Sequence, residues 1–261
     1  MRLGVAATAP IGADVLERLA SHHDVAFLLT RPDAPRGRGR QLAAPPAKET
    51  AARLGIETLQ PERPQLPDHL DVEAIVVCAY GLYIPPRLLE RTLWLNVHPS
   101  LLPRWRGAAP VERAILAGDE RTGVTIHETV EELDAGPIAA AEAFEIGNLD
   151  AGGVFAVAGE VAARLLDDVL PAPRLRPQPE QGATYAEKIT PADRALDLSD
   201  PVDAWRRVRA LSPHIGARGV LEGRPAIVWE ARLEDGRFVP EVVQPEGKRR
   251  MSYDEFLRGL R

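Results

Sequence analysis

Asn96 and His98 are the residues whose types and spacing most directly suggest chemistry. They lie two positions apart at the end of an apolar run, residues 93–97, that predicts a β-strand, so their side chains point to the same face. An amide can donate a hydrogen bond to a carbonyl oxygen that gains negative charge, and an imidazole can donate or shuttle a proton. The pair is therefore suited to a reaction at a carbonyl carbon. On these two residues alone, a structural histidine at a strand end is the competing interpretation.

The loop after this strand and a second turn add to the chemical interpretation. Residues 99–110, PSLLPRWRGAAP, contain three prolines and a glycine and predict a stiff, irregular loop of the kind that often serves binding. Further along, residues 133–138, LDAGPI, place the carboxylate of Asp134 on a tight turn between two predicted strands. Taken alone, an aspartate in such a position is more often a turn former than a catalyst.

Short apolar runs that alternate with helical patterns indicate the fold that must position these residues. Such runs are typical of buried strands in a parallel sheet with helices on both faces. They occur at residues 3–8, 25–30, 74–79 and 93–97, with further strands expected at 122–126 and 136–144 and helices at 110–117 and 151–170. We therefore predict an open, mostly parallel α/β domain over residues 1–170, with ligands at the carboxyl ends of its strands.

The remainder of the chain predicts a linker and a second, smaller domain. Residues 171–183 contain four prolines and no apolar periodicity, which is typical of a linker over the surface. Residues 184–261 predict a small β-rich domain. It contains a helix at 201–211 and only three recognisable strands, at 219–222, 226–233 and 237–243. Ser252 and Glu255 have the spacing of a capping box, which predicts a final helix at 252–260.

Composition and missing motifs exclude several classes of function. The 261 residues are 45% hydrophobic and 27% charged, as in a folded globular chain, and the net charge of -6 argues against a protein that coats nucleic acid. The single cysteine, Cys78, excludes a disulfide framework and a cysteine-based zinc site, so we expect a cytoplasmic location. Residues 74–84, the longest apolar run, are too short to span a bilayer. Signatures of dinucleotide, P-loop, zinc-protease and serine-hydrolase sites are absent from the sequence.

Four motifs together resemble the signature of the folate-dependent formyltransferases. They are N-x-H-x-S-L-L-P, R-W-R-G-A-A-P, T-G-V-T-I and L-D-x-G-P-I. The resemblance implies a Rossmann-like catalytic domain that uses 10-formyltetrahydrofolate as co-substrate and no metal. It implies that the catalytic residues are Asn96, His98 and Asp134. It also implies a pterin pocket lined by residues 76–85 and folate contacts from Ser100, Leu101, Leu102 and Pro103.

A basic loop indicates which molecule receives the formyl group. Residues 30–48, TRPDAPRGRGRQLAAPPAK, resemble the loop that methionyl-tRNA formyltransferases insert after the second strand to engage the acceptor arm of initiator tRNA. The resemblance implies tRNA contacts at Arg38, with Arg36 and Arg40 on either side. Five basic residues against one acid in residues 31–48 give phosphate affinity. Two glycines and four prolines are expected to leave the loop mobile and without a regular element.

The resemblance extends through residues 184–189 and 244–252, and so runs from end to end of the chain. It implies transfer of a formyl group from 10-formyltetrahydrofolate to the α-amine of charged initiator tRNA, through a tetrahedral intermediate. We also expect a monomer without a membrane partner. The C-terminal domain departs from the family, because three strands are too few for an OB-like barrel of about five, and we expect a shortened barrel.

Two alternatives stay open at this point. The shortened barrel favours an N-formyltransferase that acts on an amino sugar nucleotide or another small amine, whereas the basic loop opposes it. The other alternative is a non-catalytic or hydrolytic folate-binding relative. The presence of Asn96, His98 and Asp134 argues against a site without activity.

Overall fold

The computed structural model describes residues 1–36, 41–66 and 71–260. Its strands are β1 (Arg2–Ala7), β2 (Asp24–Leu29), β3 (Ala34–Arg36), β4 (Gln41–Ala43), β5 (Glu57–Leu59), β6 (Ala74–Cys78), β7 (Leu93–His98), β8 (Arg106–Gly107), β9 (Arg121–Glu128), β10 (Ile138–Glu145), β11 (Tyr185–Ala186), β12 (Ala217–Leu221), β13 (Arg224–Glu234), β14 (Arg237–Pro245) and β15 (Met251–Ser252). Its helices are α1 (Pro10–His22), α2 (Pro46–Leu54), α3 (Pro86–Leu89), α4 (Pro110–Ala117), α5 (Ala151–Val169), α6 (Pro201–Leu211) and α7 (Tyr253–Arg258).

A central sheet of mostly parallel strands confirms the predicted fold class. Within the described residues its order is β10-β9-β7-β6-β1-β2-β5. The pairs β1–β2, β1–β6, β2–β5 and β6–β7 are parallel, whereas β7 and β9 are antiparallel. All five residues of β6 are buried, as expected for a central strand covered on both faces. The carboxyl end of β7 therefore lies beside an antiparallel neighbour, β9.

The chain divides into two compact units. The first comprises Met1–Arg106, Gly123–Ala143 and Ala156–Thr184, and the second comprises Gly107–Thr122, Phe144–Phe155 and Tyr185–Arg261. Residues 171–183, which the composition predicts to be a linker, make a β-bridge within the first unit, where Ile138 and Arg176 exchange hydrogen bonds of 2.7 and 2.9 Å. The segment is thus tied to the strand that follows the Asp134 turn.

The basic loop contains a regular element, contrary to the prediction from its glycines and prolines. Strands β3 and β4 pair antiparallel, with Ala34 opposite Ala43 and Arg36 opposite Gln41. The prediction was wrong because the prolines lie at the ends of this short hairpin or within a strand that has only one partner, where a missing N–H is tolerated. Residues 37–40, which connect the two strands in the sequence, lie outside the described residues.

The second unit is built on an antiparallel sheet, which also belongs to the predicted fold class. Its order is β12-β13-β14-β15, so the described residues form four strands where the sequence pattern indicates three. The additional strand, β15, has two residues and is too short to produce a pattern of its own. The predicted capping box is confirmed, since the Ser252 hydroxyl accepts from the Glu255 amide and the Glu255 carboxylate accepts from the Ser252 amide. None of the described helices is sufficiently long and apolar to cross a membrane.

Candidate active site

The end of β7 brings Asn96 and His98 to the boundary between the parallel and antiparallel parts of the sheet. Asn96 is in register with Val77 on β6 and with His127 on β9, and His98 is in register with Thr125 on β9. Asn96 is partly buried and His98 is buried, with 4% of its surface exposed. The alternation along β7 therefore places both side chains on one face, as the spacing predicts.

The ring of His98 is oriented by a backbone carbonyl. Its Nε2 lies 2.7 Å from the carbonyl oxygen of Trp105, and because a carbonyl can only accept, Nε2 carries the proton. Trp105 is itself held by its amide, which donates to the Thr184 hydroxyl at 2.9 Å. The other ring nitrogen, Nδ1, lies 3.7 Å from Oδ2 of Asp134. In the neutral ring this Nδ1 is the atom able to accept a proton.

Burial keeps His98 in this neutral form. Desolvation lowers the pKa of His98 below its ordinary value, and this effect exceeds the opposite influence of the Asp134 carboxylate and the Trp105 carbonyl. The neighbouring His127 ring lowers the pKa of His98 slightly more. An imidazole that is unprotonated near neutral pH and lies beside a carboxylate has the properties of a general base.

Asp134 reaches the site from a tight turn. Its backbone is in the left-handed region, with φ of 52°, and its side chain is 11% exposed. Oδ1 accepts a hydrogen bond of 3.4 Å from Nδ2 of Asn96. Two residues on, the turn leaves no room for a side chain, because a Cβ on Gly136 would overlap the carbonyl oxygen of Glu128. The structure therefore brings Asn96, His98 and Asp134 together.

His127 belongs to the same cluster and was missed by the sequence analysis. It is buried, with 1% of its surface exposed, and its Nε2 lies 3.0 Å from Nδ2 of Asn96 and 3.6 Å from Oδ1 of Asp134. The only available signal is its place in the apolar strand TGVTIHE, where a histidine is unexpected. Its role depends on the pairing of β9 with β7, and a sequence pattern does not specify that register.

The chain is similar in sequence to known proteins. Residues 5–154 match the model of the formyl transferase family. A methionyl-tRNA formyltransferase of Cereibacter sphaeroides is 38% identical over 297 residues, covering 100% of this chain and 96% of that protein. A methionyl-tRNA formyltransferase of Stenotrophomonas maltophilia is 42% identical over 268 residues, covering 95% of this chain and 87% of that protein.

The chain belongs to the methionyl-tRNA formyltransferase family.

Solved structures agree with this family in fold. A methionyl-tRNA formyltransferase from Clostridium thermocellum has a TM-score of 0.66 at 13% identity, covering 94% of this chain and 98% of that one. WlaRD, a sugar 3N-formyl transferase, has a TM-score of 0.67 at 13% identity, covering 95% and 99%. HypX from Aquifex aeolicus, in complex with tetrahydrofolic acid, has a TM-score of 0.70 at 17% identity and covers 98% of this chain but 46% of that one. Similarities at these identities show the fold alone.

In this methionyl-tRNA formyltransferase, residues 100–103, which are predicted to contact folate, have few polar groups free to bind a ligand. The Ser100 hydroxyl is buried and donates to the carbonyl oxygen of Arg104 at 2.7 Å. The Thr125 hydroxyl accepts from the Leu102 amide at 3.1 Å and donates to the Ser100 carbonyl at 2.7 Å. Leu101 and Pro103 are partly buried. These polar groups fix the loop, so the stretch offers a folate chiefly the apolar surface of Leu101 and Pro103, and folate contact here stays a prediction.

The predicted pterin wall, residues 76–85, combines buried apolar side chains with one buried hydroxyl. The Tyr80 side chain is 2% exposed, and its hydroxyl has no hydrogen-bond partner among the described residues. Burial raises the pKa of Tyr80 to about 12, so the hydroxyl stays protonated. A role of this wall in folate binding stays a prediction. No group of three histidine, cysteine, aspartate or glutamate side chains in the described ranges is arranged to hold a metal ion.

Most of the arginines expected to bind tRNA lie outside the part of the chain that the structure describes. Arg36 is the last residue of β3, whereas Arg38 and Arg40 lie outside the described residues. Another base of this loop, Lys48, donates to both carboxylate oxygens of Asp33 at 2.8 and 2.9 Å. Because Lys48 is paired with Asp33, the loop has less unpaired positive charge than its composition suggests. Contact of tRNA with Arg36, Arg38 and Arg40 stays a prediction.

Proposed function

We propose that the chain transfers the formyl group of 10-formyltetrahydrofolate to the α-amine of methionyl initiator tRNA. The observation that carries the proposal is the convergence of Asn96, His98 and Asp134 in a chain that is similar to methionyl-tRNA formyltransferases over its whole length. The donor set fits a formyl group. The Asn96 amide can donate to a carbonyl oxygen that gains charge, and an imidazole paired with a carboxylate can take up the proton of an attacking amine.

His98 is the proton acceptor in this proposal. The α-amine forms a bond with the formyl carbon and must lose a proton, which passes to Nδ1 of His98, directly or through a water. The Asp134 carboxylate, 3.7 Å from that nitrogen, stabilises the imidazolium that results. The protonated ring then returns the proton to the folate nitrogen as its bond to the formyl carbon breaks, which releases tetrahydrofolate.

Asn96 stabilises the negative oxygen of the tetrahedral intermediate. One N–H of its amide donates to His127 at 3.0 Å, and the other donates over the longer distance of 3.4 Å to Asp134. The second N–H is held more weakly and can turn to the new oxyanion. The Nε2–H of His98 is already bound to the Trp105 carbonyl, so any donation from His98 to the oxyanion comes from Nδ1 after protonation.

We also propose that the enzyme acts as a monomer in the cytoplasm, as expected from the sequence. The monomer is tested by light scattering coupled to size-exclusion chromatography. A mass near 28.4 kDa supports it, and twice that mass contradicts it.

An amino-sugar N-formyltransferase is the second candidate, because the C-terminal sheet has four strands within the described residues, whereas an OB-like barrel has about five. Relatives at 36–42% identity over most of the chain favour the tRNA acceptor. The deciding experiment supplies 10-formyltetrahydrofolate with either charged initiator tRNA or an amino sugar nucleotide. Formylation of the charged tRNA alone supports the proposal, and formylation of the sugar nucleotide alone overturns it.

A further inference from the structure

The side chain of Gln178, within the predicted linker, connects two parts of the first unit. Its Nε2 donates to the carbonyl oxygens of Asp134 at 2.8 Å and Gly136 at 2.7 Å. Its Oε1 accepts from Nε and Nη2 of Arg106 at 3.2 and 3.0 Å. Both N–H groups and both acceptor positions of the amide are therefore in use. With these four hydrogen bonds, the Gln178 amide fixes the position of the Asp134 turn relative to the Arg106 guanidinium.

The two carbonyls that Gln178 binds belong to the turn that carries the Asp134 carboxylate. Asp134 has a left-handed backbone, which is unfavourable for a residue with a side chain and must be stabilised by its surroundings. Gly136 is packed against the carbonyl of Glu128. The Gln178 amide donates to the carbonyls at both ends of this turn, and these two hydrogen bonds stabilise the left-handed conformation.

Arg106 determines which way the amide of Gln178 points. Its side chain is 1% exposed, and its Nη1 is 3.9 Å from the carboxylate of Glu132. A buried guanidinium needs acceptors, so Oε1 of Gln178 must face Arg106. The NH2 group then necessarily faces the turn. The orientation follows from the donors and acceptors on both sides and does not depend on distinguishing oxygen from nitrogen.

The far end of the same segment supports the other half of the site. The Thr184 hydroxyl accepts from the Trp105 amide, and the Trp105 carbonyl accepts from Nε2 of His98. Gln178 and Thr184 are six residues apart in the chain. The segment between them thus contacts both the turn of Asp134 and the turn that orients His98.

We propose that Gln178 is a positioning residue for formyl transfer, which holds the Asp134 turn so that its carboxylate stays beside His98 and Asn96. Its effect on catalysis rests on the proposed function. Its effect on the geometry of the turn does not, because that effect exists in the protein without substrates.

The test uses two variants with different losses. Gln178→Glu has a similar shape and still accepts from Arg106, but it lacks both N–H donors to the turn. Gln178→Met is uncharged and loses the contacts on both sides. We expect each variant to lower kcat for charged initiator tRNA by about 10²-fold, a loss that a displacement of about 1 Å at a reacting group can cause. KM for either substrate should change by less than about threefold.

The matched control is Gln181→Ala. Gln181 is an exposed glutamine in the same segment, so its substitution should leave kcat unaltered.

A purely structural role predicts a different pattern. If Gln178 served only to satisfy Arg106, Gln178→Glu would keep the kcat of the wild type and only Gln178→Met would show a lower Tm and less activity. Wild-type kcat in Gln178→Glu therefore overturns the proposal. If Gln178→Met does not fold, Gln178→Glu still decides.

A second readout distinguishes this inference from the proposed function. The groups that face His98 are the Asp134 carboxylate, the Trp105 carbonyl and the His127 ring, and of these Asp134 is the largest influence that raises the pKa of His98. In Gln178→Met the carboxylate moves away, so the pKa of His98, measured by NMR in the protein without substrates, should fall below that of the wild type. An unchanged pKa overturns the inference. A wild type that does not formylate charged initiator tRNA, with the expected pKa change present, overturns the proposed function alone.

Discussion

Nδ2 of Asn96 donates a hydrogen bond of 3.0 Å to Nε2 of His127, its neighbour across the β7–β9 pair. The Nδ1 of His127 lies 2.8 Å from the carbonyl oxygen of Glu128, and this carbonyl can only accept, so Nδ1 carries the proton and Nε2 is the acceptor. His127 therefore fixes the orientation of the Asn96 amide, with its NH2 group on the side of Asp134.

The first prediction concerns this contact. His127→Phe keeps an aromatic ring on β9 but removes the acceptor, so the Asn96 amide can rotate and present its oxygen to the reacting carbonyl. We expect kcat to fall by roughly 3–10-fold, which corresponds to the loss of one hydrogen bond of ordinary strength. His127→Gln, which can place an amide oxygen near the position of Nε2, should recover most of the rate. Equal rates in wild type and His127→Phe, measured with charged initiator tRNA, would contradict the role of His127.

His98 is expected to act as a base over an unusually wide pH range. Burial lowers the pKa of His98, so the ring loses its proton at a lower pH than an ordinary histidine and stays competent to accept one. The His98 ring should therefore stay unprotonated as pH falls through about 6.5, the ordinary histidine pKa, and gain its proton only at lower pH. The measurement is an NMR titration of His98 in the protein without substrates, because the α-amine of charged tRNA has its own titration and would add a limb to any rate profile. Protonation of His98 at or above the ordinary histidine pKa would refute this assignment.

The basic loop is expected to contribute to tRNA affinity. Neutralising Arg36, Arg38 and Arg40 together should raise KM for charged tRNA and flatten the salt dependence of binding. Each lost phosphate contact should reduce the slope of log K against log salt by about 0.7–0.9. Folate affinity should hardly change, because the loop belongs to the other substrate. The amino-sugar alternative predicts no tRNA-dependent defect.

The control for the loop is a second triple variant with the same loss of charge at exposed arginines of the first unit, namely Arg63, Arg87 and Arg174. It should lower tRNA affinity less than the loop variant does. A loop variant with the KM and salt response of the wild type would remove the main sequence-based support for tRNA contact by this loop.

Cys78 is expected to be unreactive in the folded protein. It is the last residue of the fully buried strand β6, and burial raises its pKa to about 12. The thiolate, which is the reactive form, is therefore scarce at neutral pH. A thiol reagent such as a disulfide dye should label the protein only after unfolding. Rapid labelling of the native protein, accompanied by loss of activity, would be the contrary result.

The sequence predicts the parts of this site that depend on local pattern. The apolar run of β7 and the two-residue spacing place Asn96 and His98 on one face, and Ser252 with Glu255 marks the start of α7. The contribution of His127 depends on a pairing between residues 31 positions apart, and the contribution of Gln178 on contacts 42 and 44 positions apart. Local propensity does not encode such contacts. The proline-rich composition of residues 171–183 instead predicts a surface linker, so it gives no sign that Gln178 contacts the site.

The most direct test of the account compares the wild type with Asp134→Asn in formyl transfer from 10-formyltetrahydrofolate to charged initiator tRNA. The substitution keeps the size of the side chain but removes the negative charge beside Nδ1 of His98, so the imidazolium that forms during transfer is no longer stabilised. We predict an active wild type and a kcat lower by about 10²–10⁴-fold in the variant, with folate binding largely intact. An inactive wild type, or an Asp134→Asn variant that transfers at the wild-type rate, would contradict the account.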